Sequence, residues 1–316
     1  MRFPDLLAPD EDRSRYDALC CERAALLRDS IDLLLDAWRA MADNVANLQC
    51  PSHTTVLMQC RSEIDLLDGI ELLVRGGSSF NCFPLLRSAM EGYWGILWVL
   101  GDTTGRRGKA YQVGHAHRAI DYSQRLDRRT KTNEDLRKAL EGQPHSRILE
   151  GGEVDAGAVT KKKEALLAEP EYADIERAWQ ETAAKRKKNG RPGPPAWYSI
   201  FGKPGSIRAL AYEVNEGFAY ETIYSLHSDS VHACNALDHI GPAPEGEDKP
   251  IRPIRHPGWL SKVTSQSVNI AAGIAPLIVL RYAPDQGPVF RQRYEVSLRP
   301  RILKLLSRLD SDPRWP

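Results

Sequence analysis

Residues 19–38 read Leu19-Cys-Cys-Glu-Arg-Ala-Ala-Leu-Leu-Arg-Asp-Ser-Ile-Asp-Leu-Leu-Leu-Asp-Ala-Trp38, and this stretch decides the fold class. Its large apolar residues recur at steps of three and four: Leu19, Leu26, Leu27, Ile31, Leu34, Leu35 and Trp38. An α-helix turns once every ~3.6 residues, so this spacing lines one face of a helix with apolar side chains. The stretch therefore predicts a long amphipathic helix that packs against the rest of the chain by one face.

The same periodicity recurs along the chain. It predicts a second helix around 64–74 that ends at Gly76-Gly77, and a third from about 82 to 100. Further helices are predicted at about 106–128, 215–240, 260–282 and 297–309. Strand-like alternation between turn signals is nearly absent. The sequence thus predicts an all-α protein built as a helical bundle.

The middle of the chain has a different composition. Residues 129–205 are polar, rich in lysine and poor in large aliphatic side chains, and they end in the proline–glycine loop 189–195. We expect a partly helical insertion at 129–205 between two halves of the bundle, residues 1–128 and 206–316.

Overall composition is that of a soluble globular protein. The 316 residues include 43 basic and 42 acidic ones, giving a net charge of +1, which excludes a bulk polycation. The longest apolar runs, 92–101 and 270–280, are far shorter than the ~20 residues that span a bilayer. The chain has no export signal at its start and no C-x-x-C pair among its six cysteines. We therefore expect a cytoplasmic protein that is not bound to a membrane and whose cysteines are reduced.

The third predicted helix carries an unusual charged pair. Between Arg75 and Asp102 the only charged residues are Arg87 and Glu91, set among apolar and aromatic side chains. Their spacing of four places both on one helical face. They form either a structural ion pair between helices, or an arginine that binds an anion and is held by the glutamate.

A polar stripe follows in the helix predicted at 215–240. Its members succeed one another by four, four, three and four residues: Tyr224, Ser228, His232, Asn235 and His239. One interpretation is an interhelical hydrogen-bond network. The other is a catalytic group in which His232 acts as general acid or base beside Ser228 and Tyr224.

Motifs for metals and cofactors are weak or absent. His115 and His117 diverge by about 200° on a helix, and His227 and His232 lie five apart, a poor chelating spacing. The glycine-rich run 101–109 has Thr103 where a phosphate loop needs glycine, and no G-x-S-x-G elbow occurs. We expect no bound metal and no cofactor.

Basic charge is concentrated in two places. From Thr182 to Tyr212 the chain carries seven Lys or Arg residues and no Asp or Glu. This pattern is typical either of a solvated loop or of a segment that follows a phosphate backbone while its aromatic rings stack on bases. The residues expected to contact nucleic acid are Lys185, Arg186, Lys187, Lys188, Arg191, Trp197 and Tyr198. The tail adds Arg291, Arg293, Arg299, Arg301, Lys304 and Arg308 against Glu295 alone.

Two of these motifs carry a resemblance. Arg87-Ser88-x-x-Glu91 on an aromatic-rich helix, followed by Tyr224-x-x-x-Ser228-x-x-x-His232, resembles a bacterial all-helical family of unknown function. The resemblance covers roughly 50–128 and 206–282 and leaves the basic insertion out.

That family is in turn similar to HEPN-type helical proteins (higher eukaryotes and prokaryotes nucleotide-binding). Many of those are metal-independent ribonucleases of toxin and anti-phage systems, and they are usually dimers. Their signature is an arginine, four to six residues, and then a histidine; no histidine of this chain follows an arginine at that spacing. The resemblance implies activity on RNA and a homodimer by analogy between folds.

The leading hypothesis is a cytosolic protein that acts on RNA or a nucleotide in stress or phage defence. His232 would assist proton transfer at a ribose 2′-hydroxyl or leaving oxygen, and Arg87 would stabilise the phosphorane charge. Glu91 would orient Arg87, while Ser228 and Tyr224 would position the phosphate.

Two alternatives come from other functional classes. One is a non-enzymatic interaction or sensor module whose polar stripe is structural. The other is a metal-dependent hydrolase that uses His227 or His232 with Asp229 and Glu91.

Overall fold

The structure, a computed structural model, describes residues 13–45, 51–143, 156–191, 193–225, 240 and 258–307. Most of these residues are helical and none of them lies in a strand, which confirms the predicted all-α class. The helices are α1 Arg13–Val45, α2 Pro51–Arg75, α3 Phe83–Leu100, α4 Arg106–Leu126, α5 Lys131–Ala139, α6 Ala156–Leu167, α7 Ala173–Lys188, α8 Ile207–Glu213, α9 Gly217–Ala219, α10 Leu260–Tyr282, α11 Gly287–Arg293 and α12 Arg299–Ser307. Two π-helical turns, Tyr220–Tyr224 and Tyr294–Leu298, continue α9 and join α11 to α12.

Contacts divide the chain into two compact units. Unit 1 comprises residues 1–101 and 211–316, and unit 2 comprises 102–210. The sequence analysis placed these boundaries at 128/129 and 205/206. The main difference is the first boundary, which was predicted after α4 and lies before α4 in the structure. This helix packs on α6, α7 and the turn at Trp197–Ser199, and it therefore groups with unit 2.

The core of unit 1 is formed by α1, α2, α3 and α10. Hydrogen bonds fix α1 against α2 near both ends: the Tyr16 hydroxyl donates to the Gly77 carbonyl at 2.6 Å, and Trp38 Nε1 donates to the Leu57 carbonyl at 2.9 Å. The two helices are therefore antiparallel. On the apolar face that the α1 periodicity predicts, Leu26, Leu27, Ile31 and Leu34 are buried, and the other members are half-buried: Leu19, Leu35 and Trp38.

The described cysteines are free thiols in this core or at its surface. Cys20, Cys60 and Cys82 are buried, as reduced core thiols should be, whereas Cys21 is exposed. The reason is helical phase, since adjacent residues on α1 point about 100° apart.

Helix α10 is long and strongly apolar. By length and composition alone, Leu260–Tyr282 is able to cross a bilayer, although 61% of its most apolar window is buried within the protein. It packs extensively on α1 and also on α3. A central helix of a bundle needs the same apolar composition, so the observation carries no assignment to a membrane.

The C-terminal helices are held on α1 by a ladder of ion pairs. Arg293 pairs with Asp36, Arg301 with Asp29, and Lys304 Nζ lies 3.8 Å from Glu22 Oε1. The acidic partners are spaced seven residues apart on α1, so they lie along one face. The basic excess of the tail is thus largely matched within unit 1. Because these side chains are about half exposed, each pair contributes only about 0–1 kcal/mol.

Unit 2 is organised around α4, which faces α7 through an ion pair and a hydrogen bond. Arg106 Nη2 lies 3.0 Å from Asp174 Oδ2, and His117 Nε2 lies 2.8 Å from Glu176 Oε2. The His117 ring also stacks on Trp179 with ring centroids 4.8 Å apart. His115, two residues earlier, is exposed, as the angular divergence on a helix predicts.

Close approach between α2 and α3 depends on one glycine. A Cβ at Gly92 would lie 1.7 Å from Glu63 Oε1, so the α3 backbone leaves room for this buried carboxyl only because residue 92 has no side chain. We expect Gly92→Ala to lower the free energy of unfolding by about 1–3 kcal/mol, since added atoms in a packed core force displacement. Chemical denaturation of the full chain measures this difference.

Two further variants isolate the cause. Gly287→Ala adds a methyl group to a helix where nothing lies within 4 Å, so its stability should not fall. Placing Gly92→Ala in a Glu63→Ala background should recover most of the loss. If the glycine substitution is equally destabilising with and without the Glu63 side chain, the contact is not the cause.

Candidate functional site

Arg87 and Glu91 lie on the face of α3 that meets the 216–224 segment. Arg87 Nε is 3.6 Å from Glu91 Oε1, and the two side chains are 23% and 44% exposed. The neighbouring positions Leu86 and Met90 are buried, so the charged pair lies at the margin of the core. At this depth the pair is reachable by solvent while its surroundings remain partly apolar.

Tyr224 completes the cluster. Its hydroxyl donates to Glu91 Oε1 at 2.5 Å, and the Arg87 guanidinium carbon lies 4.5 Å from the centroid of its ring. A cation over an aromatic face is attracted by the electron-rich ring. The phenol therefore contacts both members of the charged pair, and we refer to Arg87, Glu91 and Tyr224 as the Arg87 cluster.

Aromatic rings pack against Tyr224 of the Arg87 cluster. The Tyr224 ring lies 5.2 Å from the Trp94 ring and stacks on Tyr220 at 5.0 Å, measured between centroids. Trp94 is fully buried. These contacts restrict the position of Tyr224, so its hydroxyl is aimed at Glu91 by packing as well as by the hydrogen bond.

A second tyrosine–glutamate bond joins the same two segments in the opposite sense. The Tyr93 hydroxyl of α3 donates to Glu216 Oε1 at 3.2 Å. Glu216 reaches α3 because the chain turns just after α8 at Asn215, which has a left-handed conformation (φ 62), and the Glu216 amide donates to the Ala211 carbonyl at 2.7 Å. Each segment thus supplies one phenol donor and one carboxylate acceptor.

Burial and the glutamates shift the acid–base properties of these groups. Burial raises the pKa of Tyr224, and the Glu91 carboxylate raises it further, while Arg87 opposes the shift. Burial likewise raises the pKa of Tyr93, with Glu216 adding to the effect. Burial also raises the pKa of Glu216. Both phenols therefore stay protonated at neutral pH and act as hydrogen-bond donors rather than bases.

The π-helical turn at 220–224 sets the phase of these side chains. A π-helical turn rotates less per residue than an α-helical one, and such turns are frequent at functional sites. Here it directs Tyr220 and Tyr224 towards Trp94, whereas Phe218 is 81% exposed.

The remaining members of the polar stripe lie outside the described residues. These are Ser228, His232, Asn235 and His239, together with His227 and Asp229 of the metal hypothesis. Their proposed roles stay predictions. Among the residues that the structure does describe, no three His, Cys, Asp or Glu side chains form a metal-binding group.

The basic residues of the insertion cluster at the C-terminus of α7. Lys185, Lys187, Lys188 and Arg191 are exposed, and Arg186 is half-buried. The helix ends at Gly190 (φ 66), and the Arg191 amide bonds to the Arg186 carbonyl at 3.0 Å. Positive side chains are favoured at this end by the helix dipole, which gives them a local structural role as well.

The two predicted stacking aromatics differ in environment. Trp197 is buried against α4, with its ring centroid 5.2 Å from that of Tyr111 and its Cβ close to Gly114. Tyr198 is half-buried and contacts the Trp197 ring at 5.6 Å. Packing within unit 2 accounts for Trp197, and stacking on a base would require its exposure.

Sequence reasoning missed Tyr93, Trp94 and Glu216 as parts of the site. Tyr93 and Glu216 are separated by 123 residues, so no local pattern reveals their bond. Trp94 is one of the aromatic side chains among which the sequence analysis placed Arg87, but it was given no role. The sequence did carry a signal for the aromatic packing around Tyr224: Tyr220 lies four residues before it, which places both rings on one side of a helix.

Comparison with protein families gives one match. A family model described as "Family of unknown function (DUF5677)" matches residues 57–248, which is more than half of the chain. The matched range contains the Arg87 cluster and the predicted Ser228 and His232, and it also includes 129–205, which the sequence analysis left outside the resemblance. No curated protein and no solved structure matches the chain.

The hydrogen bond between Tyr224 and Glu91 should contribute measurably to stability. We expect Tyr224→Phe to lower the free energy of unfolding by about 0.5–1.5 kcal/mol, because Glu91 loses a donor while the ring packing is kept. Urea denaturation measures the change. Tyr122→Phe, at a tyrosine that is 65% exposed, is the matched control and should be neutral. Equal effects of the two substitutions would contradict the contribution of this bond.

Proposed function

We propose that this chain, which belongs to the family of unknown function DUF5677, binds a phosphate group of RNA at the Arg87 cluster and acts on that RNA. The observation that carries the proposal is the meeting of Arg87, Glu91 and Tyr224 at the edge of the core, just before the chain enters the predicted Ser228–His232 motif. A half-exposed guanidinium beside a fixed phenol donor is well suited to a phosphate.

The cluster supplies electrostatic stabilisation in this proposal. Arg87 faces the charge that develops on the phosphorane, and the phenol of Tyr224 stays protonated and adds a donor. Glu91 holds both groups, through the Arg87 Nε contact and the Tyr224 hydrogen bond. Pre-orientation of this kind avoids reorganisation during the reaction.

Proton transfer is assigned to His232, with Ser228 helping to position the phosphate. The ribose 2′-oxygen forms a bond to phosphorus while the bond to the 5′-oxygen breaks. His232 accepts the 2′-hydroxyl proton or donates a proton to the leaving 5′-oxygen, and solvent water exchanges the other proton. The products are a 2′,3′-cyclic phosphate and a 5′-hydroxyl end, and no metal takes part in these steps.

The resemblance to HEPN-type proteins suggests where this chain would act, in which oligomeric state and in which process. It supports a cytosolic, bacterial, homodimeric effector of stress or phage defence. The exposed basic end of α7, residues 185–191, would follow the RNA backbone.

A second candidate is a non-enzymatic interaction module. The observation that favours it is the reciprocal pair of tyrosine–glutamate bonds, which joins two segments as a structural network does. In that case Arg87→Ala would lower the melting temperature by several degrees, as removal of one member of a partly buried cluster should. RNA cleavage would then be absent in the wild type.

Cleavage of total RNA and tRNA by the purified full chain tests the leading proposal. We expect cleavage that persists in EDTA and leaves 2′,3′-cyclic phosphate ends. His232→Ala should lower the rate by about 10²–10⁴-fold, the range for loss of a general acid or base. Arg87→Ala should lower it by about 10²–10³-fold, the range for loss of a charge-stabilising donor.

The matched control is Arg61→Ala, an exposed arginine on α2 that pairs with Asp65 and should leave cleavage unchanged. Circular dichroism and thermal unfolding establish that each variant is folded. Absence of cleavage under every condition, or full activity of His232→Ala, would overturn the ribonuclease proposal.

Salt dependence tests the role of the basic end of α7. Replacing Lys185, Lys187 and Lys188 with Ala should weaken binding of single-stranded RNA and reduce the slope of log K against log salt by about 2, because each lost phosphate contact removes ~0.7. Fluorescence anisotropy across a salt series measures both. The control triple substitution is Lys161, Lys162 and Lys163 to Ala on α6 of the same unit. An equal loss of slope in the control would show that net charge, not this segment, binds the RNA.

A further inference from the structure

The inner face of α2 carries an unusual row of polar residues. Ser52, Thr55, Gln59 and Glu63 follow at steps of three and four and are all buried. This spacing places them on one helical face, which in a bundle is ordinarily apolar. The buried apolar positions Val56 and Leu67 on the same helix bracket the last two members.

Gln59 and Glu63 differ from the rest of the row in their hydrogen bonding. Gln59 is 7% exposed and Glu63 is 1% exposed, yet Gln59 Oε1 and Glu63 Oε2 have no hydrogen-bond partner within the described part of the chain. A buried polar atom without a partner is costly, and buried polar groups are therefore almost always bonded to protein or to ordered small molecules. Two such acceptors occur here on consecutive turns.

The two acceptors are also close neighbours. Side chains four residues apart on a helix lie about 5–6 Å from each other at Cβ, so one small molecule between them can reach both oxygens. The backbone of α3 at Gly92 borders the Glu63 carboxyl and brings no side chain against it. Gly92 is itself half-buried, so the Glu63 carboxyl lies beneath a backbone position near the surface of the bundle.

We propose that Gln59 and Glu63 form an internal binding site for a small hydrogen-bond donor of the size of water or an ammonium ion. Both ligands carry several donors on one atom, and both are small enough for a close-packed bundle interior. The site is separate from the Arg87 cluster and does not depend on the proposed activity on RNA.

The state of Glu63 distinguishes the two ligands. Burial raises the pKa of Glu63 well above its ordinary value, which favours the neutral acid when no cation is bound. Water binds this neutral acid directly. Ammonium binds the carboxylate and releases a proton, because a positive charge favours the ionised form.

Thermal unfolding of the full chain at pH 7 tests the ammonium arm. Melting temperatures are compared in ammonium chloride and in sodium chloride at equal ionic strength. If ammonium binds, the wild-type melting temperature rises by about 2–4 °C at roughly fivefold excess over Kd, and the rise is absent in Glu63→Gln. Asp65→Asn, an exposed carboxylate on the same helix, is the matched control and keeps the rise.

Water–protein cross-relaxation in NMR tests the water arm on the same wild-type chain. A long-lived water gives a cross-peak to the Gln59 side-chain amide protons. The cross-peak should disappear in Glu63→Met, which keeps the Gln59 amide protons and removes the carboxyl that binds the water.

Either an ammonium-specific shift or the long-lived water cross-peak supports the site and identifies its ligand. A wild type that shows neither overturns the proposal. Both readouts are made first on the unmodified protein, so a variant that fails to fold does not leave the question open.

Discussion

Burial of the apolar faces of α1, α2, α3 and α10 is the constraint on which the rest of unit 1 depends. Helix α10 covers much of its apolar surface by packing on α1 and α3, although it follows them by more than 150 residues. Closing the bundle in this way returns the C-terminal part of the chain to α3. The 216–224 segment belongs to this returning part, so its tyrosine and glutamate meet those of α3 as a consequence of core formation.

Two glutamates, one on α3 and one packed against it, differ in their chemical properties because they are buried to different depths. Glu91 is about half exposed, contacts Arg87 and accepts from Tyr224, so an anionic carboxylate is accommodated there. Glu63 approaches α3 at Gly92, is buried and has no ion pair with any described residue, so burial favours the neutral acid. A glutamate at the margin of the core thus takes part in an ion pair, whereas burial favours the neutral acid for a glutamate inside the core.

The two basic regions of the sequence differ in whether their charges form ion pairs within the protein or are exposed to solvent. The tail at 293–304 matches its charge with an acidic row on α1, and this matching turns an apparent anion-binding segment into an internal contact. Lys185, Lys187 and Lys188 are exposed in the last turn of α7, where the helix dipole favours them. Composition alone could not separate these cases, because the partner of a surface charge is set by tertiary packing.

Helical periodicity is a local property, so the sequence alone was enough to predict the all-α class and most helix bounds. The helices predicted at about 82–100 and 260–282 are observed at Phe83–Leu100 and Leu260–Tyr282. Composition and spacing also singled out Arg87, Glu91 and Tyr224. Tertiary packing was needed to establish that these three meet, that Glu216 bonds to Tyr93, and that Trp197 is buried. These contacts join residues distant in sequence, and their geometry follows from how whole helices pack, which no local spacing encodes.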